Sequence, residues 1–357
     1  MKGLEHGGAR GWTPMVVLAG VLLVTGCAAE SATDVNVDTS ASAGGGGVAP
    51  GEGIEITLLD GSVPVVMAAV GGGAPVPLLL DTGSAGLRIF NDDVGPQAVV
   101  DPATEDETIS FVDGTTYVSD KAIAPVTLGS VELPAPVPVA LVREVTCEPE
   151  ATSCEPGIEA SKASGVHGIL GVDMDTGDYT LPSPLLYVPQ FRSFTVAYAD
   201  GESGRLLPGL PAEQPIASWD LIAAESGIPD VAGWAQDFDA CWSVDNKKPK
   251  CVPTSFDTGS TDLVIPPNLP GAPGPSGADE YLSAGEGPVE LFAAKKDDEP
   301  VWRLKPGGDV SDSAYVGESG DAGYDGVLAG TPLFYAFDVG FDHANGRVGL
   351  WPRSAAE

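Results

Sequence analysis

Two aspartates stand in matching surroundings. Asp81 ends the apolar run Leu78-Leu79-Leu80 and is followed by Thr82-Gly83-Ser84; Asp257, 176 residues later, ends Thr254-Ser255-Phe256 and is followed by Thr258-Gly259-Ser260. Each string then re-enters an apolar stretch, Leu87-Arg88-Ile89 and Leu263-Val264-Ile265. One Asp-Thr-Gly-Ser string is an ordinary turn, but two in the same context write one local structure twice. Two carboxyl groups held side by side cannot both ionise. One keeps its proton and polarises a carbonyl, while the other takes a proton from a water between them. That chemistry hydrolyses an amide without a metal or a covalent nucleophile. It needs turns with no bulk beside the carboxyls, which Gly83 and Gly259 supply, and hydroxyls to fix them, which Ser84 and Ser260 supply. Thr82 and Thr258, pointing inward, would bond across to the opposite loop.

Holding two such turns takes a strand-rich scaffold. The 357 residues carry 47 Gly and 32 Pro with few long amphipathic periods, which predicts many short strands joined by turns in an all-β chain with two lobes. Alternating segments begin at Ile54-Glu55-Ile56-Thr57-Leu58 and Val63 to Val70. A hairpin follows, Thr108 to Val112 and Thr115 to Ser119 around Asp113-Gly114. Further strands are predicted at Ala124 to Leu128 and Val137 to Val142, and a hairpin around Asp200-Gly201 marks the boundary between halves. The second half offers Ile216 to Ile222, Ala240 to Val244, Val289 to Ala293 and Val301 to Leu304. Each half also carries an apolar-apolar-Gly string after its Asp turn, Ile169-Leu170-Gly171 and Leu328-Ala329-Gly330, so the chain reads as a duplicated lobe of about 150 residues. Asp173, Asp175 and Asp178 read as a solvated loop rather than a calcium site, and Lys247-Lys248-Pro249-Lys250 as a solvated hairpin tip.

Residues 1–26 read as a lipoprotein signal: Lys2 and Arg10 precede the apolar stretch Met15 to Val24, and Val24-Thr25-Gly26-Cys27 resembles a bacterial lipobox. This implies cleavage before Cys27, diacylation of its thiol and export to a bacterial membrane face, outer membrane, periplasm or cell surface; a plain secretory signal is the alternative. Residues 27–53 are small and polar, a flexible tether. The other four of the five cysteines form two local couples, Cys147 with Cys154 and Cys241 with Cys251, expected as disulfides in an oxidising compartment. Their spacing does not suit zinc, and neither metal nor cofactor is expected. A formal charge of −34 argues against nucleic acid and anionic lipid as partners; it reads first as solubility in a salty or acidic setting, with a protein built to work in acid as the lesser alternative.

These motifs, together with the C-terminal Phe341-Asp342-His343-Ala344-Asn345-Gly346-Arg347-Val348-Gly349-Leu350, resemble the pepsin-like, two-lobed aspartic proteases over roughly residues 54 to 353. The resemblance implies two pseudo-symmetric β-barrel lobes (54–205 and 206–354), a six-stranded platform between them, a cleft, and a β-hairpin flap. It makes Asp81 and Asp257 the catalytic pair of a monomeric endopeptidase acting on an extended polypeptide at acidic pH. Phe111, Gly114 and Tyr117 would belong to the flap and cleft. Two departures stand out. Arg88 occupies the place of the family's usual Trp, and Phe111 or Val112 that of its flap Tyr, with Tyr117 across the turn. A catalytically inactive binding module of the same fold is the alternative they raise.

Overall fold

The computed structural model describes residues 53–353 apart from 103–105, 112, 150–153, 176–180, 200, 227, 229–230, 274–279, 283–286, 294–298, 308 and 318–325. The signal segment, Cys27, most of the tether, Val112, Asp178 and Asp200 lie outside the described residues.

Strand formation follows the period-2 pattern. Ile54–Leu59 buries Ile54, Ile56 and Leu58 and turns Glu55 and Thr57 outward, as a half-buried strand must. It pairs with Val63–Val70 across Asp60-Gly61, whose residues both sit at positive φ, 49° and 72°. Where both faces are covered the alternation disappears: Ala85–Phe90 and Gly168–Val172 are buried at every position.

Each half builds the same three-strand knot. In the first, Val76–Asp81 and Ala85–Phe90 flank Gly168–Val172, which runs parallel to the former (Ile169 opposite Leu79) and antiparallel to the latter (Leu170 opposite Leu87). In the second, Lys250–Phe256 and Leu263–Ile265 flank Val327–Ala329 in the same arrangement. The apolar-apolar-Gly strings are thus the middle strands. They end in glycine because the backbone passes too close for a side chain. A Cβ at Gly171 would lie 2.7 Å from the Ser84 carbonyl oxygen, and one at Gly330 2.3 Å from that of Ser260.

Six antiparallel strands connect the halves, in the order Ala217–Asp220, Arg347–Pro352, Phe337–Asp342, Ser193–Tyr198, Ser203–Pro208 and Ile54–Leu59. This is the platform the resemblance implies, and the fold is bilobal and pepsin-like. The hydrophobic core runs on through both halves: Phe256 packs edge to face against both Phe238 and Trp219 beneath the second Asp turn, with Phe238 and Phe256 centroids 4.8 Å apart. The hairpin around Asp113-Gly114 joins Glu107–Ser110 to Thr115–Ala124 with Ile109 opposite Tyr117. Both disulfides form: Cys241 and Cys251 are cross-strand partners, and Cys147–Cys154 closes a loop beside the tip of the hairpin, where Cys147 stands opposite Thr115.

Two expectations change. The strand expected over Ala124 to Leu128 breaks at Pro125, which has no N–H to give a ladder: Thr115–Ala124 and Val126–Leu128 are separate strands. Asp173 and Asp175 are not a solvated loop. Both are buried, at 5% and 3% exposure, because the strand Gly168–Val172 delivers them under the first Asp turn.

Candidate active site

Both Asp turns sit at the ends of buried strands, and their carboxyls face each other. A Cβ on Gly83 would lie 2.5 Å from Asp257 Cγ, and one on Gly259 would lie 2.8 Å from Asp81 Oδ1. Each motif glycine therefore abuts the opposite carboxyl, and any side chain there would separate the pair. The local bonds repeat residue for residue. The Gly83 N–H donates to Asp81 Oδ1 (2.8 Å) and the Ser84 hydroxyl to Asp81 Oδ2; the Gly259 N–H donates to Asp257 Oδ1 (2.7 Å) and the Ser260 hydroxyl to Asp257 Oδ2 (2.8 Å).

The threonines lock the turns together. The Thr82 hydroxyl donates to the Phe256 carbonyl (2.6 Å) and accepts from the Thr258 N–H (2.9 Å). The Thr258 hydroxyl donates to the Leu80 carbonyl (2.6 Å) and accepts from the Thr82 N–H (3.0 Å). Four reciprocal bonds between buried groups fix the carboxyls relative to each other, and each backbone group is satisfied only if the opposite half is in place. Burial, and then the charge of the hydrogen-bonded Asp81, hold Asp257 well above the usual carboxylate range. One proton therefore stays on the pair under conditions in which a free carboxyl has lost it. The arrangement can polarise a carbonyl and deprotonate a water at once.

Arg88 is fully buried and points away from this chemistry. Its guanidinium donates to Glu107 Oε1 at 2.7 Å and to the Ala85 carbonyl at 2.7 Å. Glu107 begins the first strand of the hairpin, so the ion pair ties the foot of the hairpin to the strand that follows the first Asp turn. Tyr117 is also buried, its ring packed with Phe90 and edge-on to Phe111 at 5.2 Å. Gly114, at φ +81°, makes the turn; its N–H donates to the Phe111 carbonyl and its own carbonyl accepts from the Glu148 N–H, both at 2.9 Å. That last bond links the hairpin tip to the residue next to Cys147. The Lys247 to Lys250 tip is exposed or half-buried, as the sequence suggests.

Three residues at the site had no motif to announce them. The Gln236 side-chain amide, from the second half, donates to the Gly83 carbonyl. Thr331 donates its N–H to the Ser260 carbonyl (3.0 Å) and its hydroxyl to Ser62 (2.9 Å), joining the halves on the other side. Asp173 donates its N–H to the Ser84 carbonyl (2.9 Å). Only Asp173 left a trace in the sequence, an acid two residues past an apolar-Gly strand. Among the described residues no group of acids, histidines or cysteines is arranged to hold a metal.

Residues 52–192, which include the first Asp turn and the hairpin, match the family model described as the PE-PGRS C-terminal aspartyl peptidase-like domain. The fold is similar to that of the aspartic proteinase from Irpex lacteus, with a TM-score of 0.58 over 86% of this chain and 98% of that one at 15% identity. No curated protein matches the chain.

Proposed function

We propose that this chain is an aspartic endopeptidase in which Asp81 and Asp257 share one proton and activate one water. The observation that carries the reading is the reciprocal lock of the two Asp-Thr-Gly-Ser turns, with the motif glycines packed against the opposite carboxyls. A binding module has no use for a shared proton. The partial match to a peptidase-like domain and the pepsin-like fold support the same reading. Arg88 no longer argues for the inactive alternative, because its charge is spent on Glu107. In this reading an extended polypeptide lies in the cleft beneath the Asp113-Gly114 hairpin, the enzyme acts as a monomer in acid, and a lipid on Cys27 anchors the exported protein to a bacterial membrane face, at the outer membrane, periplasm or cell surface.

The test is cleavage of a denatured protein between about pH 3 and 7, the range over which one carboxyl of such a pair is charged. Wild type should cleave and be blocked by a statine-type inhibitor, and Asp81→Ala and Asp257→Ala should each lose activity by at least about a thousandfold. Cleavage that survives either substitution, or none by wild type at any pH, would return the chain to the binding module.

A further inference from the structure

Behind the first Asp turn lies a carboxyl that the two-aspartate mechanism does not use. Asp173 gives its N–H to the carbonyl of Ser84, the residue whose hydroxyl holds Asp81. In the second half the amide bonded to the Ser260 carbonyl belongs to Thr331, one residue after the apolar-Gly string where Asp173 lies two after its own. The side chain there is a hydroxyl, which does not ionise and finds the Ser62 carbonyl at 2.9 Å. The two turns thus differ here, with an acid behind the first and a hydroxyl behind the second. Asp173 Oδ1 accepts one long bond, 3.2 Å, from the Asp175 N–H, and Oδ2 is sealed from solvent with no hydrogen-bond partner among the described residues. The charged groups acting on it are Asp175 on its own segment and Asp81 at the end of the neighbouring strand, both acids. From the second half, Trp234 bridges to Asp175 and brings no charge. A carboxylate in this place would be an uncompensated buried anion, whereas a carboxylic acid is tolerated.

We propose that Asp173 is a positioning residue that acts as a neutral acid behind Ser84, and that its ionisation unseats Ser84 from Asp81 and so sets the upper pH limit of the site. The inference rests on the proteolytic reading for its effect on turnover, but not for the state of the carboxyl. Burial, helped by the charges of Asp175 and Asp81, pushes Asp173 well above the usual carboxylate range, in keeping with that state. As pH rises past the point where Asp173 can keep its proton, water must enter to solvate the new charge. The backbone bond to Ser84 lies in its way, and the Ser84 hydroxyl bond to Asp81 goes with it.

Two measurements test this. The first is kcat/KM against pH for wild type, Asp173→Asn and Asp173→Ala, each scaled to its own maximum. Both variants should carry the alkaline limb upward by about one pH unit, the size of a single neighbouring ionisation. A limb that coincides with wild type, or moves down as simple removal of a negative charge beside the pair would make it do, overturns the proposal. The second counts protonated carboxyls at pH 6 in protein carrying carbon-13 in its aspartates, on an Asp257→Asn background that removes the shared proton. One protonated carboxyl is expected there and none in Asp173→Asn/Asp257→Asn; none in Asp257→Asn itself overturns the proposal without needing any Asp173 variant to fold. If wild type cleaves nothing, the proteolytic reading falls, and this count still decides whether Asp173 holds its proton.

Discussion

At Gly83 the difference between an ordinary turn and one that lets two carboxyls meet is one missing carbon. Its φ does not demand glycine; the opposite carboxyl does, since a methyl there would sit 2.5 Å from Asp257 Cγ. Gly83→Ala should therefore fold, because the Thr82 and Thr258 lock is untouched, while pushing Asp257 off the shared proton. Displacing a reacting group by about 1 Å costs on the order of a hundredfold in kcat. Steady-state kinetics beside a thermal melt would check it: a near-native melting temperature with kcat unchanged would mean the carboxyls are not in mutual contact. Residues that bond an aspartate side chain two or three positions away, such as Gly83, Ser84, Gly259 and Ser260, were legible in the sequence because motif spacing is the geometry. Gln236 was not, since its partner, the Gly83 carbonyl, lies 153 residues away and no pattern records a side chain crossing between halves.

The hairpin shows how one element can be rebuilt around a different kind of contact. Where the pepsin-like proteases that the sequence resembles are expected to use a Trp and a Tyr, this chain places a buried ion pair, Arg88 to Glu107, with side chains 0% and 3% exposed, beside the packed ring of Tyr117. Breaking such a pair from one side leaves an unpaired charge in the interior, which costs about 3–5 kcal/mol, whereas removing both charges together costs little. Arg88→Met should thus lower the free energy of unfolding in urea by about that amount, and Arg88→Met/Glu107→Leu should recover most of it. Equal losses in the single and double variants would show that packing, not charge, holds the foot of the hairpin. The hairpin itself was legible from Asp113-Gly114 and its alternating flanks. Its anchor was half legible: an arginine inside the apolar run Leu87 to Phe90 must find an anion, but Glu107 lies at the end of a stretch with no strand signal. The same limit explains Asp173 and Asp175. A run of acids reads as solvated until the strand that delivers them is known to end under a turn.

At the scale of the whole molecule, three buried titrating sites among the described residues bear on how the fold responds to pH. Asp257, through the proton it shares with Asp81, and Asp173 are both held above the ordinary carboxylate range, mainly by burial. Above about pH 4 the unfolded chain has released these protons and the folded one has not, so the folded state loses ground as pH rises. Each retained proton changes the folding constant tenfold per pH unit. His343 works the other way. Burial and the nearby Arg192 lower it to about 4, so between that value and the ordinary histidine value of about 6.5 the unfolded chain takes up a proton that the folded chain refuses. Two retained protons outweigh one refused, and the formal charge of −34 adds self-repulsion that also grows with pH. Stability should therefore be greatest near pH 4, decline gently to about pH 6.5 while His343 opposes the trend, and fall more steeply above it. Melting temperatures at fixed ionic strength would trace this curve. Asp257→Asn, which keeps the shape but removes the shared proton, should flatten the decline by one proton's worth of slope. A melting temperature that rises from pH 4 to pH 7, or an Asp257→Asn curve parallel to wild type, would mean that the proton is not held between the two turns.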